Sequence, residues 1–179
     1  KFLYKHRPAA HLTVVEIEPR VVTAAKEYFC LPDDPARLDV VVGDGVEFVY
    51  RTGQRYDLIM VDGFNDHSHP GDLNTLPFYE ACRERLTDQG ILAVNLIGLS
   101  DGVKGGFALI ESAFGQRAVR FPRCASGNTI AFAATGATID ITLEALQARA
   151  EMEDAGLALS LMLDRLVTLP GCEEGRLRI

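Results

Sequence analysis

Short apolar runs alternate with helix patterns along the first hundred residues, and this alternation restricts the possible folds more than any other feature. The runs typical of buried strands are Leu12–Ile17, Leu38–Val42, Tyr56–Val61 and Ile91–Leu96. Helix patterns begin at Pro19, at Val46 and after Thr75, and another covers Val103–Phe114. Strands that alternate with helices predict an α/β fold, in which a mainly parallel sheet carries helices on both faces.

The last third of the chain departs from this alternation. Ala118–Arg123 and Asn128–Ala134 are strand patterns close enough to form an antiparallel hairpin at the edge of the sheet. Residues 142–179 are predicted to be a helical carboxy-terminal extension, because Leu143–Met152 and Leu157–Val167 carry helical periodicity. We interpret residues 1–179 as one domain.

Composition limits the classes of partner. The net charge of −7 and the absence of a Lys/Arg cluster argue against nucleic acid and favour a small cationic molecule. No apolar run approaches the ~20 residues that span a bilayer, no secretory signal is present, and the four cysteines form no C-x-x-C pair. These features predict a cytoplasmic protein without a membrane partner. The first residues resemble the inside of a helix without a preceding cap, so we expect a longer natural protein.

An acidic residue follows each of the first three strands: Glu16, Asp44 and Asp62. A single acid in this position is commonly a helix cap. Three in succession are instead expected to converge, because ligands bind at the carboxyl ends of parallel strands. A carboxylate at Glu16 can accept from both hydroxyls of a ribose, and one at Asp44 from the amine of adenine. Gly43 and Gly45 allow a flat ring to approach the backbone. The pattern predicts an adenosine site.

Four segments, read in order, resemble the spermidine synthase family of polyamine aminopropyltransferases: VVEIEPRVVTAAKEYFCLP, VVGDGVEFV, YDLIMVDGF and LPFYEACRERLTDQGILAVNL. The resemblance covers about Lys1–Leu96 and implies the Rossmann-like class I methyltransferase fold. It also implies an upstream first strand with a glycine-rich loop and an amino-terminal β-domain, none of which this chain contains. That strand would lie in the sheet centre, between the strands that end at Glu16 and Asp62. We therefore expect two unpaired strand edges in this fragment of a catalytic domain.

The resemblance implies transfer of an aminopropyl group from decarboxylated S-adenosylmethionine, the co-substrate, to a diamine such as putrescine. It places Glu16 on the ribose and Asp44 on the adenine, with the adjoining Ile17 and Gly45 also in the nucleoside site. Asp62 would face the reacting amine. An alkylamine has a pKa of about 10.4 and arrives protonated, so Asp62 is expected to be the catalytic proton acceptor.

Four further residues are candidates for the acceptor site. The family carries a second Asp three residues after the first, where this chain has Asn65, and the adjacent Asp66 is displaced by one position. Asn95 stands where the family often has Gln. Tyr79 either faces the ligand or packs in the core. The family's Tyr-Pro segment after the fifth strand is absent, so the identity of the acceptor stays open.

Other functions remain open on the sequence. The same nucleoside contacts suit a small-molecule methyltransferase that uses intact S-adenosylmethionine, and the departures above suit a non-catalytic homologue. A metal site would draw on the loop Gly63–Asn74, with Asp62, Asp66, His67, His69 and Asp72 as ligands. The His-x-His spacing in a loop lacks the rigidity of strong zinc motifs, so solvated histidines and no metal are expected. The family also implies a possible homo-oligomer.

Overall fold

Strand pairing divides the chain into two parts. The computed structural model describes residues 1–64, 71–97, 100–123, 127–153, 163, 172–173 and 175–179, without the side chains of 100, 101, 153, 172 and 173. These residues form two compact units, Lys1–Thr52 and Gly53–Ile179. No helix among them is both long and apolar enough to cross a bilayer.

The first unit is a pair of parallel strands with three helices. Its elements are α1 (Phe2–His6), β1 (Leu12–Glu16), α2 (Pro19–Tyr28), β2 (Leu38–Val42) and α3 (Gly45–Arg51). β1 and β2 pair in parallel from Leu12 opposite Leu38 to Glu16 opposite Val42. Helix α2 begins at a proline in its first turn, which suits the position because that residue needs no backbone donor there. The predicted strand–helix–strand order is confirmed for this unit.

A polar contact attaches α1 to the loop before β2. The Tyr4 hydroxyl donates to Asp34 Oδ2 at 2.8 Å, and the Arg37 guanidinium lies 4.4 Å from the centre of the Tyr4 ring. Arg37 also donates to the carbonyl oxygen of Tyr4 at 3.0 Å. One cation thus fixes both the ring and the backbone of the first helix, which keeps α1 ordered despite its length of five residues.

The second unit contains a four-stranded sheet with two packed helices. Its elements are β3 (Tyr56–Val61), a 3-10 turn (Gly71–Asn74), α4 (Leu76–Glu84), β4 (Leu86–Ile97), α5 (Ser100–Ala113), β5 (Ala118–Arg120), β6 (Asn128–Ala134), β7 (Asp140–Thr142), α6 (Leu143–Glu153), β8 (Cys172–Glu173) and β9 (Arg176–Arg178). The strand order is β3-β4-β6-β5; β3 and β4 are parallel, and β6 is antiparallel to both its neighbours. The expected hairpin is confirmed in its strands, whereas its turn at Ser126 lies outside the described residues.

The core of this unit lies between the sheet and the helices α4 and α5. Phe78, Tyr79, Leu92, Ile110 and Thr129 are fully buried. Along β4, alternate residues from Leu92 to Leu96 are buried, as expected for a strand with one covered face. Thr75 caps α4 through a hydrogen bond from the Phe78 amide, which confirms the predicted start of that helix.

The sheet is in two pieces, as the resemblance implied. Among the described residues β1 pairs with β2 alone and β3 with β4 alone. Both strands expose apolar side chains: Val14 in β1 is 43% exposed, and Met60 in β3 is 65% exposed. The fold is nonetheless the expected α/β arrangement with mainly parallel strand pairing, and each piece carries its own helices.

Two predicted boundaries differ from the structure. Helix α4 ends at Glu84, and Leu86 begins β4, although it was predicted as the last helical residue. In the segment 142–179, α6 forms as predicted, with the Thr142 hydroxyl accepting from the Ala145 amide. The end of that segment is not helical, because β8 and β9 form an antiparallel sheet with β7. An ion pair from Arg176 to Asp140, 2.8 Å long, links β9 to β7.

Candidate functional site

Glu16 and Asp44 lie at the ends of neighbouring strands in the first unit. The Gly43 amide donates to the carbonyl oxygen of Glu16 at 3.0 Å, so the two strands finish side by side. The turn after β1 binds one side of the Glu16 carboxylate: the Glu18 amide donates to Oε1 at 2.9 Å. Oε2 has no partner in the part of the chain that the structure describes. One carboxylate oxygen of Glu16 is therefore structural and the other is available.

Asp44 is arranged in the same way. Its Oδ1 accepts from the backbone amides of Val46 at 2.7 Å and Glu47 at 3.1 Å, so it caps α3. The helix-cap interpretation of this residue is confirmed, and it leaves Oδ2 without a partner among the described residues. Gly45 is the first residue of α3 and is half-buried, whereas Ile17 is 67% exposed and presents an apolar side chain next to Glu16.

The turn into α2 has its own charge pair. The Arg20 side chain and amide donate to the Glu18 carboxylate, with the shortest contact at 2.8 Å, and they lower the pKa of Glu18 to about 2. Glu18 therefore stays ionised and occupied by Arg20. Of the two acids that end the first strand, Glu16 is the one with an available oxygen.

In the second unit Asp62 and Asn95 meet across the end of the sheet. Val61 pairs with Val94 in the parallel register, so the next residue on each strand lies opposite the other. The Asn95 Nδ2 donates to Asp62 Oδ1 at 2.8 Å. Asp62 is exposed, and Asn95 is half-buried with its Oδ1 buried and unpaired among the described residues. Two residues that the sequence placed near the acceptor amine are thus in direct contact.

A small pocket lies next to this pair. Its lining includes Gly63, Asn95 and Tyr79, and its apolar walls come from Val61, Phe64, Leu73, Leu96 and Ile97. The cavity volume of ≈ 20 Å³ is room for about one water molecule. Apolar walls around a few polar groups are typical of small-ligand sites, since they strengthen electrostatic contacts by excluding water.

Tyr79 contributes a buried hydroxyl to this pocket. The residue is fully buried, and its hydroxyl donates to Asn74 Oδ1 at 2.8 Å. Burial raises the pKa of the Tyr79 hydroxyl above its ordinary value, so the group remains a neutral donor. The two interpretations of Tyr79 are compatible, because its ring packs in the core while the residue also lines the pocket.

Asn74 and Gly106 are site residues that the sequence analysis missed. Asn74 lines the pocket and holds the Tyr79 hydroxyl. A Cβ atom on Gly106 would lie 2.9 Å from Asn74 Oδ1 and 3.2 Å from Leu96 Cδ2, so the glycine on α5 makes room for the Asn74 amide. The paired glycines 105 and 106 were visible in the sequence, but the burial of the second depends on how α5 packs.

Some predicted residues fall outside this description. Asn65, Asp66, His67 and His69 lie outside the described residues, so the second-Asp position and the metal alternative have no structural account. Within the described ranges, no group of three or more His, Cys, Asp or Glu side chains is arranged to hold a metal ion.

The chain was compared with known proteins. Residues 2–95 match the family model of the spermine/spermidine synthase domain. The polyamine aminopropyltransferase of Chromobacterium violaceum is 27% identical over 151 residues, which are 84% of this chain and 58% of that protein. Among the first relatives found, the chain spans from about a fifth to about three fifths of their length.

Two solved structures share the fold. Spermidine synthase from Thermotoga maritima is 25% identical, with a TM-score of 0.59 over 70% of this chain and 46% of that one. Human methyltransferase-like protein 13, solved with SAH, is 22% identical, with a TM-score of 0.74 over 91% of this chain and 75% of that one. The second likeness concerns the fold alone.

Proposed function

This chain belongs to the spermine/spermidine synthase family, and we propose on that premise that it takes part in aminopropyl transfer from decarboxylated S-adenosylmethionine to a diamine such as putrescine. The observation that carries the proposal is the exposed carboxylate of Asp62, which Asn95 holds at 2.8 Å next to a pocket with apolar walls. The polyamine aminopropyltransferases among its relatives support the same reaction class.

The first unit supplies the nucleoside contacts in this proposal. Glu16 Oε2 accepts from the ribose hydroxyls, and Asp44 Oδ2 accepts from the adenine amine. The other oxygen of each carboxylate is bound to backbone amides, which fixes the side chain in advance and reduces the entropy lost when a ligand binds. The exposed Ile17 side chain and the Gly45 backbone contact the apolar face of the nucleoside.

Asp62 carries the proton transfer. An alkylammonium has a pKa of about 10.4, so the acceptor must lose a proton before its lone pair can attack. The carboxylate attracts the cation, takes that proton and passes it to water, to which its exposed position gives access. The lone pair then forms the C–N bond as the C–S bond breaks, and the C–S electron pair moves to sulfur. The sulfonium loses its charge, so the apolar pocket walls favour the reaction.

The acceptor is a small cationic amine in this proposal, with Asn95 and Tyr79 in its pocket. Asn65 and Asp66 remain candidates for the second amine of a diamine. An amide at Asn65 can orient an amine but cannot neutralise it, so a chain that lacks the second Asp at this position is expected to bind the distal amine less tightly than the first.

Calorimetry on the protein in its natural length tests this proposal. Methylthioadenosine and decarboxylated S-adenosylmethionine should both bind, and intact S-adenosylmethionine should bind at least about tenfold more weakly, because a carboxylate group meets an acidic site. Glu16→Gln should weaken nucleoside binding, whereas Glu47→Gln, an exposed acid on α3 paired with Arg51, should not. A preference for the intact compound would assign a methyltransferase, and no binding would assign a non-catalytic homologue.

A further inference from the structure

Asn95 has a buried amide oxygen that the protein leaves unsatisfied. Asn95 Oδ1 is buried and has no hydrogen-bond partner among the described residues. The orientation of the amide follows from chemistry, because an ionised carboxylate can only accept and the Asn95 nitrogen must therefore face Asp62. Buried polar atoms rarely lack a partner in folded proteins. The oxygen is therefore a position where a donor from a ligand is expected.

The nearest polar groups of the pocket do not supply that donor. The Tyr79 hydroxyl gives its proton to Asn74 Oδ1 at 2.8 Å. The remaining walls described above are apolar side chains. Asp62 Oδ1 already accepts from Asn95, so the Asp62–Asn95 pair presents one carboxylate oxygen and one amide oxygen, both acceptors, and no donor.

We propose that Asn95 is a positioning residue that selects a primary amine as the nucleophile, an inference that rests on the proposed function. A neutral primary amine has two N–H bonds and one lone pair. One N–H donates to the Asp62 carboxylate and the other to Asn95 Oδ1, which leaves the lone pair directed at the carbon next to the sulfonium. Orientation of the nucleophile in this way accelerates a displacement without any change in the chemistry of the step.

The balance of the step agrees with this arrangement. One proton has left the ammonium through Asp62 to water before the attack. The C–N bond then forms, the C–S bond breaks, and the product is a secondary ammonium that keeps both N–H bonds to the two acceptors. A secondary amine has a single N–H when neutral, so it leaves one of the two acceptors unpaired. A site built to hydrogen-bond a group discriminates strongly against an analogue that lacks it.

The test compares two amines in the natural-length protein with decarboxylated S-adenosylmethionine. The probes are 1,4-diaminobutane, which is primary, and N,N′-dimethyl-1,4-diaminobutane, which is secondary. We expect Asn95→Leu to lower kcat with the primary amine by about 10- to 100-fold and to reduce the primary-over-secondary preference in kcat/KM by at least about tenfold. A structural role alone would lower both amines equally and leave the preference unchanged.

Controls separate the effect from a folding defect. Methylthioadenosine affinity should be unchanged in Asn95→Leu, and Asn95→Ala, which adds no bulk, replaces that variant if nucleoside binding is lost. Asn95→Gln should restore part of the preference, because it keeps the amide. Asn128→Leu is the matched control, since Asn128 pairs with Ile97 on the neighbouring strand β6 and is not among the pocket residues.

The possible results distinguish this inference from the proposed function. Wild-type turnover with an unchanged amine preference in Asn95→Leu would overturn the inference and leave aminopropyl transfer intact. Calorimetric binding of 1,4-diaminobutane without turnover, weakened in Asn95→Leu, would support the amine site and reject aminopropyl transfer. A wild-type protein that neither binds nor converts the diamine would overturn both.

Discussion

The Asn95 amide nitrogen lies 2.8 Å from Asp62 Oδ1, so the last residue after β3 and a residue inside β4 form one polar pair at the end of the sheet. The pair joins an exposed carboxylate to a half-buried amide. This contact fixes the direction of the carboxylate, and it gives the proposed proton acceptor a defined position without using its second oxygen.

Replacement of Asp62 by Asn tests its role as the proton acceptor. The variant keeps the shape of the side chain but loses the charge and the capacity to accept a proton, so kcat for aminopropyl transfer should fall by at least about 100-fold. Methylthioadenosine affinity should not change. Asp57→Asn is the control, because Asp57 is an exposed acid on the same strand that accepts from Thr87 at 2.9 Å. Retained turnover in Asp62→Asn would remove Asp62 as the base.

A methyl group on Gly106 should disturb the pocket from behind. The added Cβ meets Asn74 Oδ1 at 2.9 Å, and overpacking of this kind costs about 1–3 kcal/mol in the free energy of unfolding. Gly105→Ala on the same helix meets no heavy atom within 4 Å and should stabilise the protein by up to about 1 kcal/mol. Denaturant unfolding of both variants checks the prediction. Equal effects would show that Gly106 does not make room for Asn74.

Removal of the Tyr79 hydroxyl should leave Asn74 Oδ1 without its donor. Tyr79→Phe is expected to lower the free energy of unfolding by about 1–3 kcal/mol, because the hydrogen bond is lost inside the core. Tyr50→Phe, at a position 49% exposed, should change it by less than about 0.5 kcal/mol. Indistinguishable urea midpoints for the two variants would contradict a structural role for the Tyr79–Asn74 bond.

Alkaline pH should destabilise the second unit through Cys82. Burial raises the pKa of this thiol from 9.0 to about 12. Between these values the unfolded chain releases the thiol proton and the folded chain retains it, so the free energy of unfolding falls as the pH rises above 9. The fall should be shallower in Cys82→Ala when unfolding is measured at about pH 8 and about pH 10. An identical pH dependence in wild type and variant would count against this origin.

Much of the site was predictable because it depends on strand ends. Glu16, Asp44 and Asp62 follow apolar runs that form β1, β2 and β3, and the carboxyl ends of parallel strands are where functional groups collect. The capping role of Asp44 was also visible from its position before a helix pattern. Local patterns were sufficient for these residues because their neighbours in space are neighbours in sequence.

The missed features depend on contacts between distant parts of the chain. Asn74 and Gly106 meet only because α5 packs beside the end of β4, which no local periodicity encodes. The strand pairing of Asp140 with Arg178 likewise joins residues far apart in sequence, and the helical pattern of the tail gave no sign of it. Leu86 was assigned to the helix because its apolar side chain continued the helical spacing, although the strand begins there.

Analysis of the reaction products tests the central claim most directly. The protein in its natural length is incubated with 1,4-diaminobutane and either decarboxylated or intact S-adenosylmethionine, and the products are identified by mass spectrometry. Aminopropyl transfer predicts an aminopropylated diamine and methylthioadenosine in equal amounts from the decarboxylated compound alone. Formation of a methylated product from the intact compound, or no product from either, would contradict the claim.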